Sequence, residues 1–170
     1  ALAQSGRAHG APMRIVETVI EVNDARKRRM AERILAALGE RPAGRRVAVF
    51  GVTFKPDTDD MRDAPALAIV PALIGAGASV AVCDPQGAKE GAALLPGATW
   101  EEDPYAAVAG ADALAVLTEW NMFRGLDLRR LRAAMRGDAL VDLRNVYRPA
   151  EAAAAGFVYT GVGKPAPLSA

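Results

Sequence analysis

The densest chemistry in this sequence lies between Phe54 and Arg62, where FKPDTDDMR sets Lys55 and Arg62 among Asp57, Asp59 and Asp60 directly after an apolar run. Two cations in one loop suit a phosphate or another anion, because ammonium and guanidinium groups donate charge-assisted hydrogen bonds to its oxygens. The same spacing fits a local ion-pair network, and side-chain chemistry alone leaves the two readings level. The three aspartates lack the central glycine and closing glutamate of a calcium loop, so helix capping and pairing with Lys55 and Arg62 account for them more simply. No metal site is expected. His9, the only histidine, has no companion at ligand spacing, and a histidine-based triad has no foundation.

Four other residues invite chemistry. Arg144 follows the apolar run ALVDL and would emerge at the same sheet edge as Lys55, as a second phosphate-directed group; the alternative is a surface ion pair with Asp142, which alternation puts on the same side of the strand. Gly51 stands alone before Val52, Thr53 and Phe54, without the further glycines that admit a pyrophosphate against the backbone, so dinucleotide binding at this turn is not expected. Asp84 stands where such a domain would hold a ribose hydroxyl, but with Pro85 it reads as a turn initiator. Cys83, in an apolar run with no nearby base, reads as an inert core thiol.

The elements that must position these residues follow from periodicity. From Met13 to Leu38, apolar residues at Ile15, Val19, Val22, Met30, Ile34, Leu35 and Leu38 recur at helical spacing, with Pro12 suited to the first turn and Gly39 to the stop. This predicts one helix of roughly seven turns at 3.6 residues per turn, either a linker between domains or a dimerisation element. From Arg45 the pattern changes. RRVAVFGV, SVAVCDP, ALAVLT, ALVDLR and FVYTGVG read as strands covered on both faces. Between them run helices: one through ALAIVPALIGAG capped by Asp63 and kinked at Pro71, one from Gly87 to Leu95, one capped by Asp103 before Pro104, then LDLRRLRAAMRG and AEAAAAG. The expected fold class is α/β, a Rossmann-like doubly wound parallel sheet of about five strands preceded by a long α-helix. Residues 1–42 read as the end of a preceding domain plus the long helix, 43–163 as the sheet domain, and 164–170 as a disordered tail.

Composition narrows the function classes. Lys and Arg number 21 against 20 Asp and Glu, which argues against a broad nucleic-acid-neutralising surface, and the RKRR run from Arg26 to Arg29 reads as a solvated helix face. No run approaches the roughly 18 apolar residues of a membrane span, and ALAQSGRAHG lacks a signal-peptide profile. A single cysteine excludes an internal disulfide and fits a reduced, cytoplasmic setting. The chain opens without methionine on a helical stretch with no start signal, and is read as a piece of something longer.

In this order and spacing, GVTFKPDTDDMRDAP, VAVCDPQG, LTEWNMF and VDLRNVY resemble the carboxyl-terminal domain of the UDP-glucose/GDP-mannose dehydrogenases, over nearly the whole chain. The helix carrying VIEVNDARKRRM resembles the family's central helix, which joins its two domains and forms much of the dimer interface. The resemblance implies an enzyme that oxidises a sugar C6 hydroxyl to a carboxylate in two NAD-dependent hydride transfers. An amino-terminal Rossmann domain holds NAD, and a cysteine before the central helix forms a thiohemiacetal and then a thioester. This sequence has neither the glycine fingerprint nor that cysteine motif, Cys83 does not match the nucleophile, and the chain alone is expected to be inert. The resemblance assigns Phe54, Lys55 and Arg144 to the UDP-sugar substrate, and Arg62 to NAD approached across the domain cleft. It also implies a homodimer through the Met13 to Leu38 helix. LTEW leans toward the UDP-glucose branch, with UDP-N-acetyl-hexosamine and GDP-mannose as alternatives. Two rival readings stand beside this one: a dimerisation or interaction module that binds no nucleotide, and a stand-alone NAD-binding protein.

Overall fold

The structure, a computed structural model, describes residues 2–164; residues 165–170 of the expected disordered tail lie outside the described residues. The chain opens with a short helix α1 (Leu2–Ala8) and the long α2 (Arg14–Ala37). Pro12 lies just outside α2, whose N-cap is Met13, and Gly39 follows the C-cap Leu38 with φ of +82°, a left-handed stop that glycine adopts without a steric penalty.

There follow β1 (Arg46–Phe50), α3 (Ala66–Gly75), β2 (Ser79–Cys83), α4 (Ala88–Leu94), β3 (Ala98–Trp100), α5 (Pro104–Ala107), β4 (Ala113–Val116), α6 (Asn121–Arg124), α7 (Leu128–Ala134), β5 (Ala139–Asp142), α8 (Pro149–Ala154) and β6 (Val158–Gly161). All strand pairs are parallel, in the order β3-β2-β1-β4-β5-β6. The sheet is therefore doubly wound, and strand order reverses between β1 and β4. It carries one strand more than expected: β3 is a three-residue edge strand, only part-buried, with no apolar run to announce it.

Strand alternation explains why the central strands are apolar throughout. Val47, Val49, Val80, Val82, Ala115 and Val141 point into one core layer, closed by Ile34 and Leu38 of the α2 end and by Ile69, Val70 and Leu73 of α3. Ala48, Phe50, Cys83, Leu114, Val116 and Leu140 point into the other, closed by Phe123, Leu131 and Ala152 of α6, α7 and α8. Phe50 stacks on Phe123 with ring centroids 4.7 Å apart. Only the last part of α2 belongs to this core: Ala31 and Ile34 are buried, whereas Ile15 is 84% exposed and Val19 and Val22 are also exposed.

One detail differs from the sequence expectation. Asp63 does not cap α3; the helix begins at Ala66 behind Pro65, while Asp63 sits exposed in the left-handed region at φ +56°. Proline's fixed φ already suits a first turn, so no side-chain cap is required there. The helix continues through Pro71 without a break. Asp103, by contrast, caps α5 as expected, accepting from the Tyr105 N–H with Pro104 in the first turn. Among the described residues, no helix is long and apolar enough to cross a membrane.

Candidate functional site

The loop after β1 (51–65) and the turn after β4 meet where strand order reverses, and they are locked together by buried hydrogen bonds. The Thr118 hydroxyl donates to the Thr53 carbonyl at 2.6 Å, and the Trp120 indole N–H donates to Thr53 Oγ1 at 3.2 Å. The Asp84 carboxylate is the hub of this lock. It accepts from the N–H groups of Val52, Thr53, Gln86 and Gly87 and from the Thr53 hydroxyl. Asp84 is thus a turn-former for its own loop and also a clasp on the loop after β1.

This geometry does not fit a dinucleotide at the β1 turn. Gly51, at φ +77°, presses on Thr118: a Cβ there would lie 2.5 Å from the Thr118 Cβ and 2.8 Å from its carbonyl oxygen. The glycine admits the neighbouring strand end, not a pyrophosphate, and the acid that could hold a ribose is consumed by backbone N–H groups. Cys83 is buried, and burial pushes its thiol up to about 12, so it is no nucleophile near neutral pH. Among the described residues, no group of three or more His, Cys, Asp or Glu could hold a metal ion.

Beside this lock lies a groove of about 420 Å³, walled by α2 through Ile20, Asn23 and Lys27, and by the carboxyl ends of β4 and β5 through Leu117 and Leu143. Phe54 and Arg144 both line it. Phe54 is held by its N–H donating to the Asp60 carbonyl at 2.9 Å, which leaves the ring half exposed. Lys55, the next residue, is exposed, has no salt-bridge partner among the described residues and does not line the groove.

The basic residues of the charged block divide. Arg62 forms the local ion pair: its Nε and Nη2 donate to the Asp60 carboxylate at 2.9 and 2.8 Å, and Asp60 is held down to about 2, first by that side-chain hydrogen bond. The Arg62 side chain remains 89% exposed. Arg144 is paired too, but not with Asp142. Its Nε and Nη2 donate to the Glu119 carboxylate, which this bond holds below its ordinary value. Asp142 is fully buried and accepts from the backbone N–H groups of Arg144 and Tyr147, which leaves its carboxylate inside the fold and away from the guanidinium. Burial pushes its pKa up against those hydrogen bonds. Alternation set Asp142 and Arg144 on one side of the chain, but the strand ends at Asp142, and the turn redirects Arg144 toward β4.

The family model for the UDP binding domain of the UDP-glucose/GDP-mannose dehydrogenase family matches residues 48–149. The chain belongs to this family. Among curated proteins it is 50% identical, over 165 residues, to the UDP-glucose 6-dehydrogenase of Rhizobium meliloti (strain 1021), covering 97% of this chain and 38% of that protein. Among solved structures it resembles a UDP-glucose dehydrogenase from the hyperthermophilic archaeon Pyrobaculum islandicum, with TM-score 0.78, 32% identity, and coverage of 95% of this chain and 35% of that one. An NDP-N-acetyl-D-galactosaminuronic acid dehydrogenase from Methanosarcina mazei Go1 also matches, with TM-score 0.70 and 30% identity over 83% of this chain and 29% of that one. The chain thus spans little more than a third of the length of the curated relative.

Within this member of the dehydrogenase family, polar groove residues on α2 escaped the sequence reading, Asn23 and Lys27 together with Asp24 and Arg26. Lys27 belongs to the RKRR run read as a solvated face, yet it lines the groove, its ammonium 3.3 Å from Asp24 and its side chain 24% exposed. Asn23, four residues earlier, joins it on the same helical face. Their signal was spacing: both stand one helical step from the apolar stripe.

Proposed function

We propose that this chain is the substrate-binding portion of a UDP-glucose 6-dehydrogenase, the part that grips the UDP end while UDP-glucose is oxidised to UDP-glucuronate with two NAD. The observation that carries this reading is the meeting of Phe54 and Arg144, from separate loops, in one groove at the carboxyl edge of a doubly wound sheet. Lys55, exposed beside Phe54 though outside the groove lining, is proposed as the second cation for the diphosphate. The work done here is anchoring. A nucleotide held rigidly away from the reacting carbon supplies binding energy and orientation to the chemistry without taking part in it.

NAD has its place outside this chain, since the β1 turn is filled by Thr118 and clasped by Asp84. Arg62, exposed and oriented by Asp60, is the group that reaches toward it. The reading further entails a cytoplasmic homodimer through α2. The likeness to the R. meliloti protein supports UDP-glucose as the sugar nucleotide. The likeness to the M. mazei structure, whose name specifies an NDP-N-acetyl sugar, favours an N-acetyl-hexosamine as the second choice of sugar.

The test is an NMR titration of the chain. UDP shifts the amide signals around Phe54, Lys55 and Arg144, while NAD leaves the spectrum unchanged. A spectrum indifferent to millimolar UDP rejects the reading.

A further inference from the structure

Arg144 does not stand alone at the groove. Nε and Nη2 of its guanidinium both donate to the Glu119 carboxylate, the latter at 2.7 Å, and two parallel bonds fix the plane and the roll of the group. Glu119 comes from the turn after β4, the hydrogen-bonded neighbour of β5, and lies behind Arg144: the arginine lines the groove and the glutamate does not. The backbone beneath is fixed as well. The Arg144 N–H donates to the Asp142 carboxylate at 3.0 Å, and Asn145, at φ +54°, donates through its side-chain amide to the Val162 carbonyl. Among the described residues, Nη1 of Arg144 has no hydrogen-bond partner, so the end of the guanidinium remains for a ligand.

We infer that Glu119 is a positioning residue for nucleotide binding: it occupies the side of the Arg144 guanidinium so that the free end is presented to a phosphate oxygen in the groove. The inference rests on the nucleotide-sugar reading of that groove. Simple electrostatics argues the other way, because an acid beside a cation weakens its attraction for an anion. Pre-organisation and charge competition therefore predict opposite signs when the charge is removed and the shape kept.

The experiment measures UDP affinity by NMR titration for the 170-residue chain, Glu119→Gln, Arg144→Ala and the double variant. Positioning predicts that Glu119→Gln raises Kd about tenfold, the weight of one charge-assisted hydrogen bond. It also predicts that the same change adds nothing once Arg144 is alanine. A Glu119→Gln chain that binds UDP as well as the parent, or better, overturns the inference and leaves the nucleotide reading intact. An equal loss in the Arg144→Ala background overturns it too, since the effect then does not pass through the arginine. If the parent chain takes up no UDP, the nucleotide reading fails first and this inference falls with it.

Discussion

Gly51 shows how much one residue decides at this site. Its positive φ and its contact with Thr118 both exclude a side chain, so Gly51→Ala combines backbone strain with overpacking and costs about 2–4 kcal/mol. Urea denaturation of the variant shows this as a lowered midpoint; an unchanged midpoint would mean that the β1–β4 contact is soft. From sequence, Gly51 was legible as a lone glycine that fails a dinucleotide fingerprint, but its positive role was not, because the partner that needs its missing side chain, Thr118, lies in the turn after a strand distant in sequence. Asp84 was legible as a turn-former, and its grip on Val52 and Thr53 was hidden for the same reason. The Arg144–Glu119 pair was not legible, and the one ion pair weighed for Arg144, as the alternative to phosphate binding, was with Asp142: neighbours in sequence are easily paired on paper, whereas neighbours across parallel strands require the strand order.

At the scale of elements, the apolar runs made β1, β2, β4 and β5 readable, since strands buried on both faces must be apolar throughout, whereas β6, read from the same kind of run, is an edge strand that leaves Val158 half exposed. The edge strand β3 pairs on one side only and had no such obligation. The amino-terminal edge of the sheet is tied by a different device: the Asp112 carboxylate accepts from Arg136, from the Arg46 N–H and from Arg45. Arg136 contributes most to holding this acid down to about 2. Because the folded-state pKa is depressed, the stabilisation is complete above the ordinary carboxylate range and is lost as pH falls from about 4 toward about 2. Asp112→Asn therefore lowers stability by about 1–2 kcal/mol at neutral pH and flattens the acid limb of the stability–pH curve. Thermal melts of both proteins between pH 2 and 7 read the difference; parallel curves would remove Asp112 from the account.

At the scale of the whole molecule, α2 is only half accounted for by the fold. Its helical period was plain in the sequence, but a period names a face and not what covers it. Ile34 and Leu38 use that face inside the core, while Ile15, Val19 and Val22 leave it in solvent. A second copy of the chain is the proposed cover, and Val19→Asp with Val22→Asp places two charges on that stripe without touching the core. Sedimentation equilibrium at several concentrations gives a dimer for the parent and at least a tenfold weaker association for the variant, the equivalent of about 1.4 kcal/mol. A parent that stays monomeric throughout defeats the proposal.

The same helix also has mechanical properties. It is clamped in the core at Ile34, forms a groove wall at Asn23 and Lys27, and extends beyond that wall to Ile15. From Asn23 to Ile15 is about 12 Å of rigid rod at 1.5 Å per residue. A rod fixed at one end and lining the groove midway is a lever, so a molecule seated against Asn23 and Lys27 also sets the aim of the far end, where Arg7 of α1 pairs with Glu17 beside the exposed Ile15.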